Sequence, residues 1–224
     1  EARAPRVTSC AQEVIRRLGL LENPYLIRLA DGSMSLESFR ASQEQFFFAV
    51  SYFPRPMAAL IARLPDPAVR LDVLHNLVEE HGDFQADRFH QNTYREFLRS
   101  IGARDPLADG VKPSAVVHAF NTLLMGACAH DEIETSIACL GVIERAFADI
   151  SATIGKAVVG RGWVPAGRLL HYTLHAEIDV RHADEFFAIL EPRWDDPARR
   201  AAIEQGLELG AFAFDRLYRD LARS

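Results

Sequence analysis

The sequence predicts an all-α protein, a single-domain bundle of seven to nine helices over residues 1–224, and three observations carry that prediction. Apolar residues recur with helical period along almost every segment. Strand signals are nearly absent: no Asn-Gly or Asp-Gly turn is flanked by alternating apolar residues, and Asp31-Gly32 and Asp109-Gly110 sit between helical patterns. No internal repeat or linker divides the 224 residues, a length that buries a substantial core without disulfides.

Taken in order, Val14, Ile15, Leu18 and Leu21 mark a first helix, closed between Gly19 and Pro24. Ser35, followed by Glu37 and Phe39, caps a second that runs through Phe46 to about Phe53. Pro54 and Pro56 kink or break it, and 57–64 resumes the pattern. Asp66-Pro67 starts a helix with Val69, Leu71, Val73, Leu74, Leu77 and Val78 that ends near Gly82. A shorter one over 94–101 is stopped by Gly102. Lys112-Pro113-Ser114 opens the next, running to about Cys128, with Pro113 suited to its first turn. The pattern over 131–159 is long and ends at Gly160 and Gly162; the following helix spans about 165–190, before Pro192. The last covers 197–221.

Composition narrows the function classes. With 49% hydrophobic and 25% charged residues, 13 Gly and 11 Pro, disordered, collagen-like and low-complexity chains are excluded. The 25 Lys and Arg against 31 Asp and Glu argue against nucleic acid as the main partner. The longest greasy stretch, 46–50, is far too short to span a bilayer, so no membrane is expected. Glu1-Ala2-Arg3 shows no basic-then-apolar signal pattern. Cys10, Cys128 and Cys139 offer neither a disulfide framework nor zinc spacing, which points to a reducing cytoplasm.

The chemistry concentrates in His171-Tyr172-Thr173-Leu174-His175-Ala176-Glu177-Ile178-Asp179-Val180-Arg181-His182. At about 100° per residue, His175, Asp179 and His182 fall on one helical stripe, with His171 one turn earlier. Two imidazoles and a carboxylate in that register can bind iron, manganese or zinc without moving the backbone; a charged solvent face is the plain alternative. Glu79-Glu80-His81-Gly82-Asp83 closes a mostly apolar helix, and His90 follows the glycine break. A polar helix end explains that cluster equally well. Glu144 stands alone in the apolar run Leu140-Gly141-Val142-Ile143-Glu144-Arg145-Ala146-Phe147. Burying it is costly unless it is paired, protonated or metal-bound; a surface position beside Arg145 is the other option.

Glu80, His90, Glu144, His175, Asp179 and His182 thus give three carboxylates and three histidines on different helices, the donor set from which bundle cores build di-iron sites. The paired Glu-x-x-His motifs of a ferritin-type site are missing. The aromatic run Phe46-Phe47-Phe48, with Tyr52 and Phe53, offers either an oxidation-resistant wall or plain core.

On these motifs the chain resembles the heme-oxygenase-like di-iron oxidases and oxygenases, which share an all-α scaffold with thiaminase II and pyrroloquinoline-quinone synthase. The resemblance covers most of the chain. It takes in Asn23-Pro24-Tyr25, Leu29-Ala30-Asp31-Gly32, the Glu80 to His90 spacing, Glu144, and His-x3-Asp-x2-His as His175, Asp179 and His182 within the string Asp-Val-Arg-His-Ala. It implies one iron on Glu80, His90 and His175 and another on Glu144, Asp179 and His182, with manganese a compatible substitute. Glu79 is an alternative to Glu80, although helix phase from Asn76-Leu77 favours Glu80, and Glu44 is a candidate for an additional carboxylate. His171 and Tyr172 are implied to support the ligands by hydrogen bonds, His171 the better placed.

The implied activity is O2-dependent oxidation of a small molecule (an amino acid, amine or fatty acid) by N-oxygenation, desaturation or C–C cleavage. A homodimer is compatible with the scaffold. Para-aminobenzoate synthases of the CADD type are similar, but Leu26 replaces the tyrosine that branch consumes, with Tyr25 one residue out of register, and Ile154 replaces its lysine. An external substrate is therefore expected. The rival readings are a metal-independent enzyme of the thiaminase or quinone-synthase kind, for which Cys128 and Cys139 are the candidate nucleophiles, and a non-enzymatic binding protein. A heme oxygenase needs an axial His on an early helix, and the first His here is His75.

Overall fold

Several helix starts follow directly from short polar side chains. Asn23, Ser35, Asp66 and Asp196 each adopt extended backbone and accept a hydrogen bond from a backbone N–H of the first turn, and prolines at 24, 67 and 197 follow three of them. The computed structural model describes residues 5–223; the Glu1-Ala2-Arg3 start lies outside them. Among the described residues the order is α1 (Arg6–Arg17), α2 (Pro24–Ala30), α3 (Leu36–Val50), α4 (Pro54–Arg63), α5 (Pro67–Glu80), α6 (His90–Ser100), α7 (Ala115–His130), α8 (Ile133–Gly160), α9 (Leu170–Leu190) and α10 (Pro197–Leu221), with no strand. The nine helices legible in the sequence all form. The tenth, α2, has only seven residues.

The organising element is α8. Its 28 residues, about 42 Å long at the α-helical rise, are buried on nearly every side because they are mostly apolar or small. It packs most heavily against α9 and α10. Glycines set the second of these contacts: a Cβ at Gly210 of α10 would lie 2.5 Å from the Cys139 carbonyl oxygen of α8, and one at Gly206 would meet the Thr135 carbonyl oxygen. The other helices close around this pair of interfaces, and all ten contribute to one hydrophobic cluster.

Three local expectations are corrected. Pro113 precedes the N-cap Ser114 and is not in the first turn of α7; Ser114 N–H instead donates to Gln45 Oε1 at 2.7 Å. The helix expected over 94–101 starts four residues earlier, so that His90 is its first residue. In α5 the buried stripe is Val73, Asn76 and Glu80, while Leu71 is 65% and Leu74 37% exposed. The helix turns its polar stripe inward because that is the stripe facing α8 and α9 where they carry Glu144, Asp179 and His182.

Candidate metal centre

Four helices supply the six side chains singled out by their types and spacing. Glu80 ends α5 and His90 begins α6. Between them Gly82, Asp83 and Phe84 all take positive φ (58°, 52° and 66°), a tight left-handed turn that returns the chain to the same face. Glu144 lies mid-way along α8, and His175, Asp179 and His182 occupy one stripe of α9. All six are buried, none more than 6% exposed. Neither the solvent face considered for the α9 stripe nor the surface position considered for Glu144 is realised.

The six are brought together. Ligand atoms of Glu144, Asp179 and His182 lie within 4.8 Å of one another. Glu80 Oε1 stands 3.0 Å from His90 Nδ1, and the rings of His90 and His175 are 4.6 Å apart. His175 Nδ1 meets Asp179 Oδ1 at 2.9 Å, linking the two groups. Asn76 of α5 donates from Nδ2 to Glu144 Oε1 at 3.4 Å.

Two imidazole nitrogens at this centre, His175 Nε2 and His182 Nδ1, are buried without a hydrogen-bond partner, while His90 Nδ1 pairs with Glu80 Oε1. Such groups are costly in an apolar interior. The charges are equally unsettled. Burial, then Glu144, raises the Asp179 carboxyl well above the usual range. Burial pulls His182 down, but Glu144, Glu79 and Asp179 outweigh it and raise the imidazole to about 10. Burial, reinforced by His90, drives His175 down to about 3. Burial opposes ionisation of Glu80, yet His90 holds its carboxyl below the ordinary value. Crowded carboxylates beside inward-facing imidazole nitrogens fit divalent iron, manganese or zinc by donor chemistry.

The surrounding residues divide into two groups. A pocket of about 50 Å³ reaches Glu80, Glu144 and His175 and is otherwise apolar, with Phe46, Phe53, Phe120, Phe147 and Phe214 in its wall. Phe46 and Phe53 therefore join the wall, whereas Phe47 packs on Phe48 and Tyr94. On the other side Gln43 gathers tyrosines: Tyr172 and Tyr94 hydroxyls donate to its Oε1, and its Nε2 donates to Tyr25 Oη at 2.7 Å.

Tyr172 thus bonds to Gln43 and not to any of the six candidates. The His171 ring lies 4.3 Å from the His175 ring, tilted by 52°, and pairs through Nδ1 with Thr93 Oγ1 at 3.3 Å. Glu44 lies away from the centre, bound by Arg104 through N–H and Nε at 2.8 and 2.9 Å. Gln43, Asn76 and Arg181 escaped the reading of the sequence. Gln43 had a signal, since it shares a helical stripe with Phe39 and Phe46.

The profile of the iron-containing redox enzyme family, a heme-oxygenase-like group, matches residues 40–214, and that span holds all six side chains. The chain belongs to this family. Among curated relatives, the 4-aminobenzoate synthase of Chlamydia muridarum is 23% identical over 179 residues, covering 80% of this chain and 75% of the relative. The 4-chloro-allylglycine synthase of Streptantibioticus cattleyicolor is 21% identical over 188 residues, covering 84% and 71%. Among solved structures, a heme-oxygenase-like domain from Shewanella denitrificans OS217 superposes with a TM-score of 0.80 at 16% identity, covering 99% and 94%. A TenA homologue from P. horikoshii OT3 gives 0.74 at 12% identity, covering 97% of each chain. The iron-containing redox enzyme family thus has an all-helical, heme-oxygenase-like fold in this member. No helix among the described residues is long and apolar enough to cross a membrane.

Proposed function

We propose that this member of the iron-containing redox enzyme family is a non-heme di-iron oxidase or oxygenase that uses O2 to oxidise a small molecule. One iron is held by Glu80, His90 and His175, the other by Glu144, Asp179 and His182. The observation that carries this reading is the convergence, beside an apolar pocket, of three carboxylates and three buried histidines, two of whose ring nitrogens lack partners. Two ferrous ions held there would supply electrons for the reduction of O2; manganese suits the same donors.

The protein's part follows from its own side chains. Three carboxylates offset most of the charge of two divalent cations. Asn76 steers Glu144 through its amide, and His171, against the His175 ring, limits that imidazole's rotation. The phenylalanine wall keeps bulk water from the open side and presents no readily oxidised group. Besides phenylalanines and aliphatic residues, the pocket lining contains only Glu80, Glu144 and His175. Of the substrates the resemblance implies, a molecule with an aliphatic portion suits that wall better than one whose buried end is charged, which favours desaturation or C–C cleavage over N-oxygenation.

The resemblance to CADD-type para-aminobenzoate synthases raises the reading in which a tyrosine of the chain itself is consumed. Leu26 and Ile154 stand where that chemistry needs its tyrosine and lysine, and the Tyr25 hydroxyl is occupied by Ser42 and Gln43. An external substrate is the better reading. The TenA-like likeness fits a metal-independent enzyme, but burial pushes the Cys128 thiol up to about 12 and raises Cys139 further, the opposite of an activated nucleophile.

The test is His175→Ala, read by iron content and O2 uptake with a substrate panel. The variant is expected to stay helical and cooperative on melting while losing iron and O2 consumption. Unchanged O2 consumption would overturn the proposal.

A further inference from the structure

His182 is completely buried, and its two ring nitrogens serve different neighbours. Nδ1 faces inward, 3.8 Å from Asp179 Oδ1 and 3.9 Å from Glu144 Oε2. Nε2 faces the other way and meets Glu79 Oε2 at 2.5 Å. Glu79 is itself fixed: Arg181 Nη2 donates to its two oxygens at 2.7 and 2.9 Å, and Arg181 Nη1 donates to Glu185 Oε1 at 3.2 Å.

Two pairs of sequence neighbours are therefore interlocked. In α5, Glu80 turns to His90 while Glu79, about 100° round the helix, turns to the outer side of His182. In α9, His182 turns inward while the preceding Arg181 clamps Glu79. The arginine inside the Asp-Val-Arg-His string, which the ligand set leaves without a role, acquires one.

We infer that Glu79 is a positioning residue that holds His182 in the Nε2–H tautomer with Nδ1 aimed at Asp179 and Glu144, and that Arg181 keeps Glu79 in that post. A carboxylate accepting the distal N–H of a ligating imidazole fixes the ring and increases its basicity. The inference rests on the reading of His182 as a metal ligand. It also separates the adjacent glutamates into a ligand, Glu80, and an orienting acceptor, Glu79.

The experiment titrates the full-length metal-free chain with Co2+ and follows each equivalent by calorimetry and by ligand-field absorption. Glu79→Leu is expected to weaken one equivalent by about 10- to 100-fold, the range for losing an outer hydrogen-bond partner, and to leave the other unchanged. Glu79→Gln, whose amide oxygen still accepts the Nε2 proton, should recover most of the loss. Nitrogen-15 spectra of the zinc-loaded wild type should show His182 bound through Nδ1 and protonated at Nε2. Unchanged affinities in Glu79→Leu, or His182 bound through Nε2, would overturn the inference. So would loss of a whole equivalent matching Glu80→Leu, which would make Glu79 a ligand. His182→Ala serves as the discriminating control: if it keeps both equivalents, the ligand reading beneath the inference fails as well. If His182→Ala is impaired and Glu79→Leu is not, only the positioning role fails.

Discussion

His175, Asp179 and His182 could be placed together from spacing alone, because offsets of four and three return to one face of a helix whatever the helix packs against. That is why the α9 part of the candidate centre was legible in the sequence. Glu80 and His90 were harder, since their convergence depends on three successive left-handed residues, two of which, Asp83 and Phe84, are not glycine. The Glu79–Arg181 contact was invisible for a different reason: it joins residues 102 positions apart, and nothing periodic relates them. The cysteines give a prediction at this scale. Cys128 and Cys139 are fully enclosed and burial disfavours both thiolates, whereas Cys10 is partly accessible. Alkylation of native protein, mapped by mass spectrometry, should label Cys10 alone until denaturant is added. Rapid native labelling of Cys139 would revive a thiol-dependent enzyme.

Helix starts were read well where a capping residue marked them, as at Ser35 and Asp66. The failures have physical causes. The short α2 was announced by Asn23-Pro24 but is too brief to display a period, and α5 was read by its leucines although it buries Asn76 and Glu80 instead. Close packing of α10 on α8 predicts that Gly210→Val, which places a Cβ against the Cys139 carbonyl oxygen and Val142, destabilises the fold by about 1–3 kcal/mol. Chemical denaturation would detect this as a lower midpoint, and an unchanged midpoint would mean that the helices do not approach so closely. The turn after α6 carries a pH-dependent element. The Arg95 guanidinium, with backbone N–H groups of Ala108 and Leu107, lowers the Asp105 carboxyl from 3.8 to about 2. A depressed carboxyl stabilises above its unfolded value and loses that contribution as pH falls through the folded one. Asp105→Asn should therefore melt at a lower temperature than wild type near neutrality, with the difference closing as pH falls from about 4 to about 2. A difference independent of pH would show that the ion pair contributes nothing.

At the scale of the molecule, the long helices α8 and α9 pack along each other and hold three ligand candidates and the glutamate opposite them, while α5 and α6 bring the remaining two. Both the helical class and the resemblance were legible, because periodic apolar stripes and the His-x3-Asp-x2-His string stand in this sequence itself. The substrate was not, because the pocket wall is assembled from phenylalanines of several helices that no local pattern connects. The central claim is that six dispersed side chains form one centre for two metal ions, and its most direct test is iron quantification after anaerobic ferrous loading and desalting. About two irons per chain are expected, the content of a di-iron carboxylate bundle, and retention of no iron by the folded wild-type chain would contradict it.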